Sequence, residues 1–291
     1  VSLEEEFDTL RLDPSKLSVQ LVDKKIISSK PVYKYDFKVT SDDASTPFEY
    51  EAGDSFGFYP ELAKEQVSWL AERLNLDLEG NIEISSGDSS TLEKLVLDLF
   101  PHSFSLSNRV VLPIKKVLGR LDFCGFPKKA TLRALAECCE DEEQAKVLLF
   151  LSSRAGSEVY NHRLRTERMS IFSLLAALDS LNPSLGLLLT LLTPLQPRYY
   201  SCANWQGNSG NNFQIVFSAS EPKGVCSSWL ESMDPSTLTT IPIVKRSITT
   251  FRLPSDLQET TSIIMIAAGT GIAPFIGFLE TIQGNHCSNN L

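Results

Sequence analysis

Cysteine and histidine are scarce in this chain of 291 residues, which contains six of the first and three of the second. Cys138 and Cys139 are adjacent, but no two cysteines have the CxxC spacing of a zinc site or a redox motif. The three histidines lie far apart in the sequence. We therefore expect no metal site, no disulfide scaffold and no Ser–His–Asp triad, and reduced thiols favour a cytoplasmic location.

Basic residues are outnumbered, with 27 Lys and Arg against 36 Asp and Glu, and the net charge is -9. Because proteins that bind nucleic acid usually carry a basic surface, nucleic acid is not an expected partner. The longest apolar stretch, Leu185 to Leu192, is far short of the ~20 residues that span a bilayer, so no membrane association is expected. The N-terminus has neither an initiator Met nor the segments of a secretory signal, which indicates a piece of a longer protein.

The rest of the composition is ordinary for a globular protein, and the length allows about two domains. Residues 1–16 are acidic and aperiodic, and we interpret them as a linker remnant. In residues 31–40, apolar side chains alternate with charged ones, which predicts a half-buried antiparallel strand. A second strand is predicted from Phe56 to Tyr59, and a helix from Glu61 to Leu74.

A helical block follows and is enclosed by β-rich sequence on both sides. Apolar residues recur at helical spacing from Ala130 to Leu192, and strands are predicted again at residues 198–203, 213–219 and 241–244. This order is most simply explained by a helical insertion into a β domain. The last predicted strand, Ser262 to Ala268, is apolar throughout, as in a parallel sheet buried on both faces.

Three motifs have residue types suited to a nucleotide cofactor. Arg198-Tyr199-Tyr200-Ser201 combines rings for stacking with a guanidinium for phosphate. Lys223-Gly224-Val225-Cys226-Ser227 allows close approach of the backbone to an anion where a helix begins. Gly269-Thr270-Gly271, between an apolar strand and a helix with Pro274 in its first turn, is typical of the start of a nucleotide-binding unit. Each motif alone is weak evidence for a cofactor site, because tyrosines on strands usually pack in the core and many helices begin in this way.

In their order, the three motifs resemble the FAD- and NADPH-binding half of the diflavin reductases. In that family an RxYS strand and a GVxT/S helix start hold FAD, and a GTG(I/V)APF turn opens the NADPH domain; here the segments are RYYS, GVCS and GTGIAPF. The likeness covers about Leu17 to Ile282. It implies an α+β fold with an antiparallel β-barrel FAD-binding domain of the ferredoxin reductase type (17–127 and 195–258). An inserted helical connecting subdomain (128–194) and a truncated Rossmann-like NADPH domain (259–291) complete it.

The resemblance also implies roles for individual residues. Tyr200 would stack on the flavin ring, Ser201 would lie near flavin N5 as the catalytic residue, and Arg198 would pair with the FAD phosphates. The other implied contacts are Tyr199, Gly224, Val225, Cys226 and Ser227 for FAD, and Gly269, Thr270 and Gly271 for NADPH. Members of the family also use a basic residue near the first barrel strands toward NADP; Lys30 is the candidate, with surface solvation as its alternative role.

The implied reaction is hydride transfer from NADPH to FAD, followed by single-electron transfer to FMN in another domain of the same parent chain. Phe126–Asp141 and Leu195–Asn204 look like the branch of the family that reduces the cobalamin of methionine synthase, which makes methionine synthase the expected partner. Three alternatives stay open. They are a diflavin reductase that serves a haem protein, a FAD-binding module without turnover, and a structural barrel without a ligand.

The sequence departs from the family pattern in three places. Asn204 stands where the RxYSxxS pattern has its last Ser, and the segment from Ser218 to Lys223 is shorter than in many relatives. Only 23 residues follow Ala268, whereas a βαβαβ nucleotide-binding unit needs more. We therefore expect the apolar strand to lack its parallel neighbours and to form an unpaired edge.

Overall fold

The computed structural model describes most of the chain as two units. The described residues are 11–12, 17–28, 31–40, 48–85, 89–101, 103–104, 109–208, 210–219, 221, 223–248, 250–254, 257 and 262–288. One unit is helical and consists mainly of Leu62–Leu99 and Leu106–Leu195. The other, called the β unit below, consists mainly of Leu10–Glu61 and Gln196–Leu291.

The strands and helices are numbered here in chain order. The strands are β1 (Arg11–Leu12), β2 (Leu17–Ile26), β3 (Val32–Thr40), β4 (Ser55–Phe58), β5 (Asn81–Ser85), β6 (Ser103–Phe104), β7 (Arg109–Pro113), β8 (Arg198–Ser201), β9 (Asn212–Ser218) and β10 (Ile241–Arg246). The helices are α1 (Lys64–Arg73), α2 (Ser89–Leu99), α3 (Ile114–Arg120), α4 (Lys129–Ala136), α5 (Glu142–Ser152), α6 (Ser157–Arg165), α7 (Ile171–Ala177), α8 (Leu185–Leu191), α9 (Val225–Glu231) and α10 (Ala273–Ser288).

A six-stranded antiparallel sheet forms the β unit, in the order β8-β4-β10-β2-β3-β9. The edge strands β8 and β9 meet through a bridge between Cys202 and Ile215, so the sheet curls toward a barrel. The alternation predicted for residues 31–40 is confirmed, because Tyr33, Tyr35 and Phe37 are buried and their neighbours are more exposed. These features agree with the predicted α+β fold.

Stacked aromatic side chains fill the core of the β unit. Phe213 on β9 stacks on Phe56 of β4 with ring centroids 3.8 Å apart, and Phe37 of β3 lies 5.5 Å from Phe213. All three rings are fully buried. Because aromatic pairs add attraction to the large area that each ring buries, this cluster fixes the register of the strands that carry the candidate site.

The helical unit contains the predicted helices of residues 130–192 as α4 to α8. It also contains α1 to α3 and the two-stranded sheet β5–β7. Arg73, at the end of α1, donates to the carbonyl oxygens of Leu175, Leu178 and Leu181, which satisfies groups at the end of α7 and in the turn that follows. None of the helices in the described part of the chain combines the length and the apolar character that a membrane span requires.

The strand predicted at residues 262–268 is wrong. The structure describes this segment without a strand or a ladder partner, and Ile264 and Ile266 are both 87% exposed. An apolar run of this composition becomes a buried strand only when parallel neighbours supply hydrogen bonds on both sides, and the described residues provide none here. The helix predicted after it is confirmed as α10, with Pro274 in its first turn.

Candidate functional site

The RYYS motif forms β8, which pairs with β4 through Ser55↔Ser201, Phe56↔Tyr200 and Phe58↔Arg198. Since side chains alternate along a strand, Arg198 and Tyr200 belong to one face of β8. The Tyr200 ring packs edge-on against Phe58 at 5.9 Å and against Phe217 at 5.8 Å. The position of Tyr200 is therefore set by the aromatic core beneath it.

The GVCS motif lies beside this face. The Tyr200 hydroxyl donates to the Cys226 sulfur at 3.4 Å, and Tyr200 also interacts with the Ser227 side chain. Arg198 interacts electrostatically with both Tyr200 and Cys226. The structure thus brings together four of the predicted site residues from two motifs that are separated by more than twenty positions in the sequence.

Helix α9 begins at Val225, so that Ser227 lies within its first turn. Gly224 occupies the N-cap position in an extended conformation and has no side chain that could cap the helix. An added Cβ at Gly224 would meet nothing within 4 Å. The backbone before the helix is therefore open on this side, as the contact with an anion implied by the motif requires.

Burial favours the neutral forms of the Tyr200 phenol and of two nearby thiols. It raises the pKa of the Tyr200 phenol well above its usual range, with the neighbouring Cys226 as a further cause, and it raises the pKa of the Cys226 thiol to about 11. The pKa of Cys202 rises to about 12 for the same reason. A thiolate nucleophile is therefore not available near neutral pH, and the site is suited to binding and stacking.

Ser201 is the last residue of β8, and Asn204 follows three residues later. Ser201 faces Ser55 across the β4 pairing, and Asn204 is buried. The Asn204 side-chain oxygen accepts from the Gln214 backbone N–H at 2.8 Å and from the Cys202 thiol at 3.1 Å. Asn204, the departure from the RxYSxxS pattern, therefore joins β8 to β9.

Tyr199 is directed to the other face of β8, where it is 42% exposed. Its ring lies over Gly57, since an added Cβ there would come within 2.9 Å of Tyr199 Cε1. The Arg246 guanidinium lies 5.4 Å from the ring centroid. Tyr199 is thus separated from Tyr200 although the two are adjacent in the sequence.

The GTG motif forms a single 3₁₀ turn, Gly269–Ile272, that leads into α10. Gly269 has a φ of 55°, a conformation that favours glycine, and added Cβ atoms at Gly269 and Gly271 would meet nothing within 4 Å. Helix α10 approaches the end of β8, where Glu280 accepts from the Trp205 backbone N–H at 2.9 Å. The turn therefore exposes backbone on the same unit as the RYYS and GVCS motifs.

Two further residues support the site and were missed by the sequence analysis. Asp54 is buried and forms an ion pair with Arg252, which also reaches Glu51 at 2.9 Å. This pair fixes the turn before β4, but its members are far apart in the sequence and no motif joins them. Lys30, the predicted contact for NADP, lies outside the described residues.

The sequence profile of the family described as "FAD binding domain" matches residues 19–229, so the chain belongs to that family. Human methionine synthase reductase is 30% identical over 296 residues, which cover 91% of this chain and 41% of the relative. Rabbit (Oryctolagus cuniculus) NADPH–cytochrome P450 reductase is 31% identical over 253 residues, which cover 82% of this chain and 35% of the relative. Both relatives are diflavin reductases, which confirms the resemblance, and the chain spans less than half of their length.

A crystal structure of a ferredoxin-NADP+ reductase mutant from Plasmodium falciparum covers 91% of this chain and 52% of its own. It is 14% identical, with a TM-score of 0.37. A score this low does not establish a shared fold, so the family membership and the observed sheet carry the classification.

Proposed function

We propose that this chain binds FAD on the face formed by Arg198, Tyr200, Cys226 and Ser227, and that it belongs to an NADPH-dependent flavoprotein oxidoreductase. The observation that carries the proposal is the contact between the Tyr200 hydroxyl and the Cys226 sulfur, which unites the RYYS and GVCS motifs. Membership of the FAD-binding domain family supports it.

The residues present suit the chemical groups of FAD. The diphosphate needs cations and hydrogen-bond donors, which Arg198, the Ser227 hydroxyl and the open backbone of Gly224 to Cys226 would supply. The isoalloxazine ring needs a flat apolar neighbour, which the Tyr200 ring would supply. Two neutral thiols nearby add no charge that would oppose an anionic ligand.

When bound, FAD would supply the conversion between two-electron and one-electron transfer. From the family resemblance, Ser201 would lie at the reactive edge of the ring and orient it by hydrogen bonding, although the alternation along β8 directs its side chain to the face that carries Tyr199. Gly269, Thr270 and Gly271 would let NADPH approach the backbone closely. Lys30 as a contact for NADP and Tyr199 as a contact for FAD remain predictions.

The names of the relatives suggest an electron acceptor. Human and bovine methionine synthase reductases, both 30% identical, favour methionine synthase and its cobalamin, with an FMN domain of the parent chain as the intermediate carrier. The cytochrome P450 reductases favour the alternative acceptor, a haem protein. Methionine synthase is our proposed partner, and the proposed location is the cytoplasm. Co-purification of the parent protein with methionine synthase or with a haem protein separates the two.

A second candidate function is a FAD-binding module without turnover. It is favoured by the exposure of Ile264 and Ile266, both 87% exposed, just before the turn that would meet NADPH. This candidate shares the FAD site and differs only in the response to NADPH.

One experiment tests both candidates. The purified chain is loaded with FAD, desalted, and scanned from about 350 to 500 nm before and after anaerobic addition of NADPH. Flavin bands that remain with the protein support the FAD site, and their bleaching by NADPH supports reductase activity of the chain itself. Bands that persist with NADPH support the module without turnover. Loss of all FAD on desalting would contradict the proposed site.

A further inference from the structure

Glu231, the last residue of α9, binds two partners from different parts of the β unit. Its Oε1 accepts from the Tyr33 hydroxyl of β3 at 2.5 Å, and its Oε2 accepts from the Lys223 ammonium at 2.6 Å. Each carboxylate oxygen thus has its own donor. We call these three residues the Glu231 clamp.

The clamp spans the whole of α9. Lys223 directly precedes Gly224, and Glu231 closes the helix, so the ion pair joins the segment before the helix to its last turn. The two side chains are 36% and 27% exposed, so solvent only partly screens the pair. The segment from Gly224 to Ser227, which carries the GVCS motif, lies between the two ends that the clamp fixes.

Tyr33 connects the clamp, through Phe217, to the Tyr200 ring of the candidate site. It stacks on Phe217 with ring centroids 5.2 Å apart, and Phe217 in turn contacts Tyr200 at 5.8 Å. The neighbouring Tyr35 hydroxyl donates to the Leu230 carbonyl at 3.0 Å. The end of α9 is therefore held on the same strands and rings that position Tyr200.

The charges in the clamp agree with this geometry. Lys223, followed by Tyr33, lowers the pKa of Glu231, so the carboxylate stays ionised. The carboxylate in turn raises the pKa of both Tyr33 and Lys223, which keeps each of them a donor. The polar partners of the clamp are thus in the protonation states that the hydrogen bonds need at neutral pH.

We propose that Glu231 is a positioning residue for FAD: through Lys223 and Tyr33 it holds the GVCS segment in place beside Tyr200, so that the two motifs form one binding face for the cofactor. This inference rests on the proposed function. It goes beyond the family motifs, because Tyr33 and Glu231 lie outside them and Lys223 is given a role that the GVCS pattern does not assign.

The direction in which one substitution changes FAD affinity separates a positioning role from a purely electrostatic one. Glu231→Gln removes a negative charge near an anionic ligand, so relief of Coulomb repulsion alone predicts tighter FAD binding. Loss of the clamp predicts weaker binding, and we expect the FAD dissociation constant to rise about three- to tenfold and the flavin to dissociate correspondingly faster. Tyr33→Phe, which changes no charge, is expected to act in the same direction.

The experiment measures FAD dissociation constants by fluorescence titration for the 291-residue chain and its variants. The matched control is Glu167→Gln, which removes the carboxylate of the Arg163–Glu167 ion pair in the helical unit. Lys223→Met and the double variant Lys223→Met/Glu231→Gln complete a double-mutant cycle. We expect the double variant to bind FAD no more weakly than the weaker of the two single variants. Thermal unfolding without FAD checks that each variant is folded.

Each outcome decides one point. Weaker binding in Glu231→Gln and Tyr33→Phe, with Glu167→Gln unchanged, supports the inference. Unchanged or tighter binding in Glu231→Gln, while the wild-type chain binds FAD, overturns this inference alone. Absence of FAD binding by the wild-type chain overturns the proposed function, and the inference with it.

Discussion

The Tyr200 hydroxyl donates to the Cys226 sulfur across 3.4 Å and so links strand β8 to helix α9. The Tyr200 ring packs on Phe58 and Phe217, while Cys226 belongs to the buried face of α9. The hydroxyl contact is therefore the outer end of a packed arrangement that begins in the aromatic core. Changes to the ring and to the hydroxyl should have different effects.

Tyr200→Ala should weaken FAD binding about tenfold, because the stacking surface is lost; a tenfold change corresponds to about 1.4 kcal/mol. Tyr200→Phe keeps the ring and should change the dissociation constant less than about twofold. A fluorescence titration compares both with Tyr199→Ala, which alters the opposite face of β8 and should have the smaller effect. Equal losses in Tyr199→Ala and Tyr200→Ala would contradict the assignment of the faces.

Cys202 and Cys226 should resist alkylation in the folded chain at about pH 8, because burial raises the pKa of the two thiols to about 12 and about 11. Of the cysteines that the structure describes, Cys138 and Cys139, which are partly exposed, should react before these two. Mass spectrometry after iodoacetamide treatment, with and without urea, measures the difference. A raised thiol pKa also means that the stability contributed by the neutral form is present below the ordinary value of 9.0 and is lost as the pH rises through the folded values.

Asp54→Asn should lower the free energy of unfolding by about 2–4 kcal/mol, because it leaves Arg252 beside a buried group that no longer carries charge. Urea denaturation of the chain provides the measurement. The control, Glu83→Gln, breaks the exposed Arg109–Glu83 pair and should cost less than about 1 kcal/mol. Similar losses in the two variants would mean that the turn before β4 does not depend on the buried pair.

Gly57→Ala should destabilise the β unit by about 1–3 kcal/mol, since the new Cβ would lie 2.7 Å from Val244 Cγ1 and 2.9 Å from Tyr199 Cε1. Gly186→Ala makes the matched comparison, because an added Cβ at this site in α8 meets nothing within 4 Å. There the substitution should be neutral or stabilising, as alanine favours helix. The urea midpoints of the two variants should therefore move in opposite directions or differ clearly.

The Glu231 clamp should be lost in acid. Because Lys223 lowers the pKa of Glu231, its contribution to stability is present above the ordinary value of 4.5 and disappears as the pH falls through the lowered folded value. Wild type and Glu231→Gln should therefore differ in thermal midpoint near pH 7, and the difference should shrink as the pH falls below 4.5. A difference that does not change with pH would assign the effect to packing and not to charge.

The sequence was most informative where a pattern is local. The alternation from Tyr33 to Phe37 predicted β3, and the helical spacing from Ala130 to Leu192 predicted α4 to α8, because each pattern reflects contacts made within one element. The strand at 262–268 is wrong because it was assigned from its apolar composition, although missing neighbours were already expected, and such a run forms a strand only where a neighbour pairs with it.

The candidate site was predictable as motifs and not as an arrangement. Resemblance placed Arg198, Tyr200, Cys226 and Ser227 in one site, and the period of two along β8 could have separated Tyr199 from them. The Asp54–Arg252 pair and the Tyr33–Glu231 bond depend on strand order, which joins distant segments of the chain. Because the sequence does not reveal the strand order, neither of these contacts could be predicted from it.

The position of β4 in the sheet has a consequence for biosynthesis. Both of its neighbours, β8 and β10, are encoded beyond the helical block, whereas β2 and β3 form a hairpin as soon as they are made. During synthesis, residues 55–58 therefore stay without a strand partner until the whole helical unit has been made. A flavin could be captured only after β10 has left the exit tunnel, so cofactor loading would be one of the last events in the synthesis of this segment.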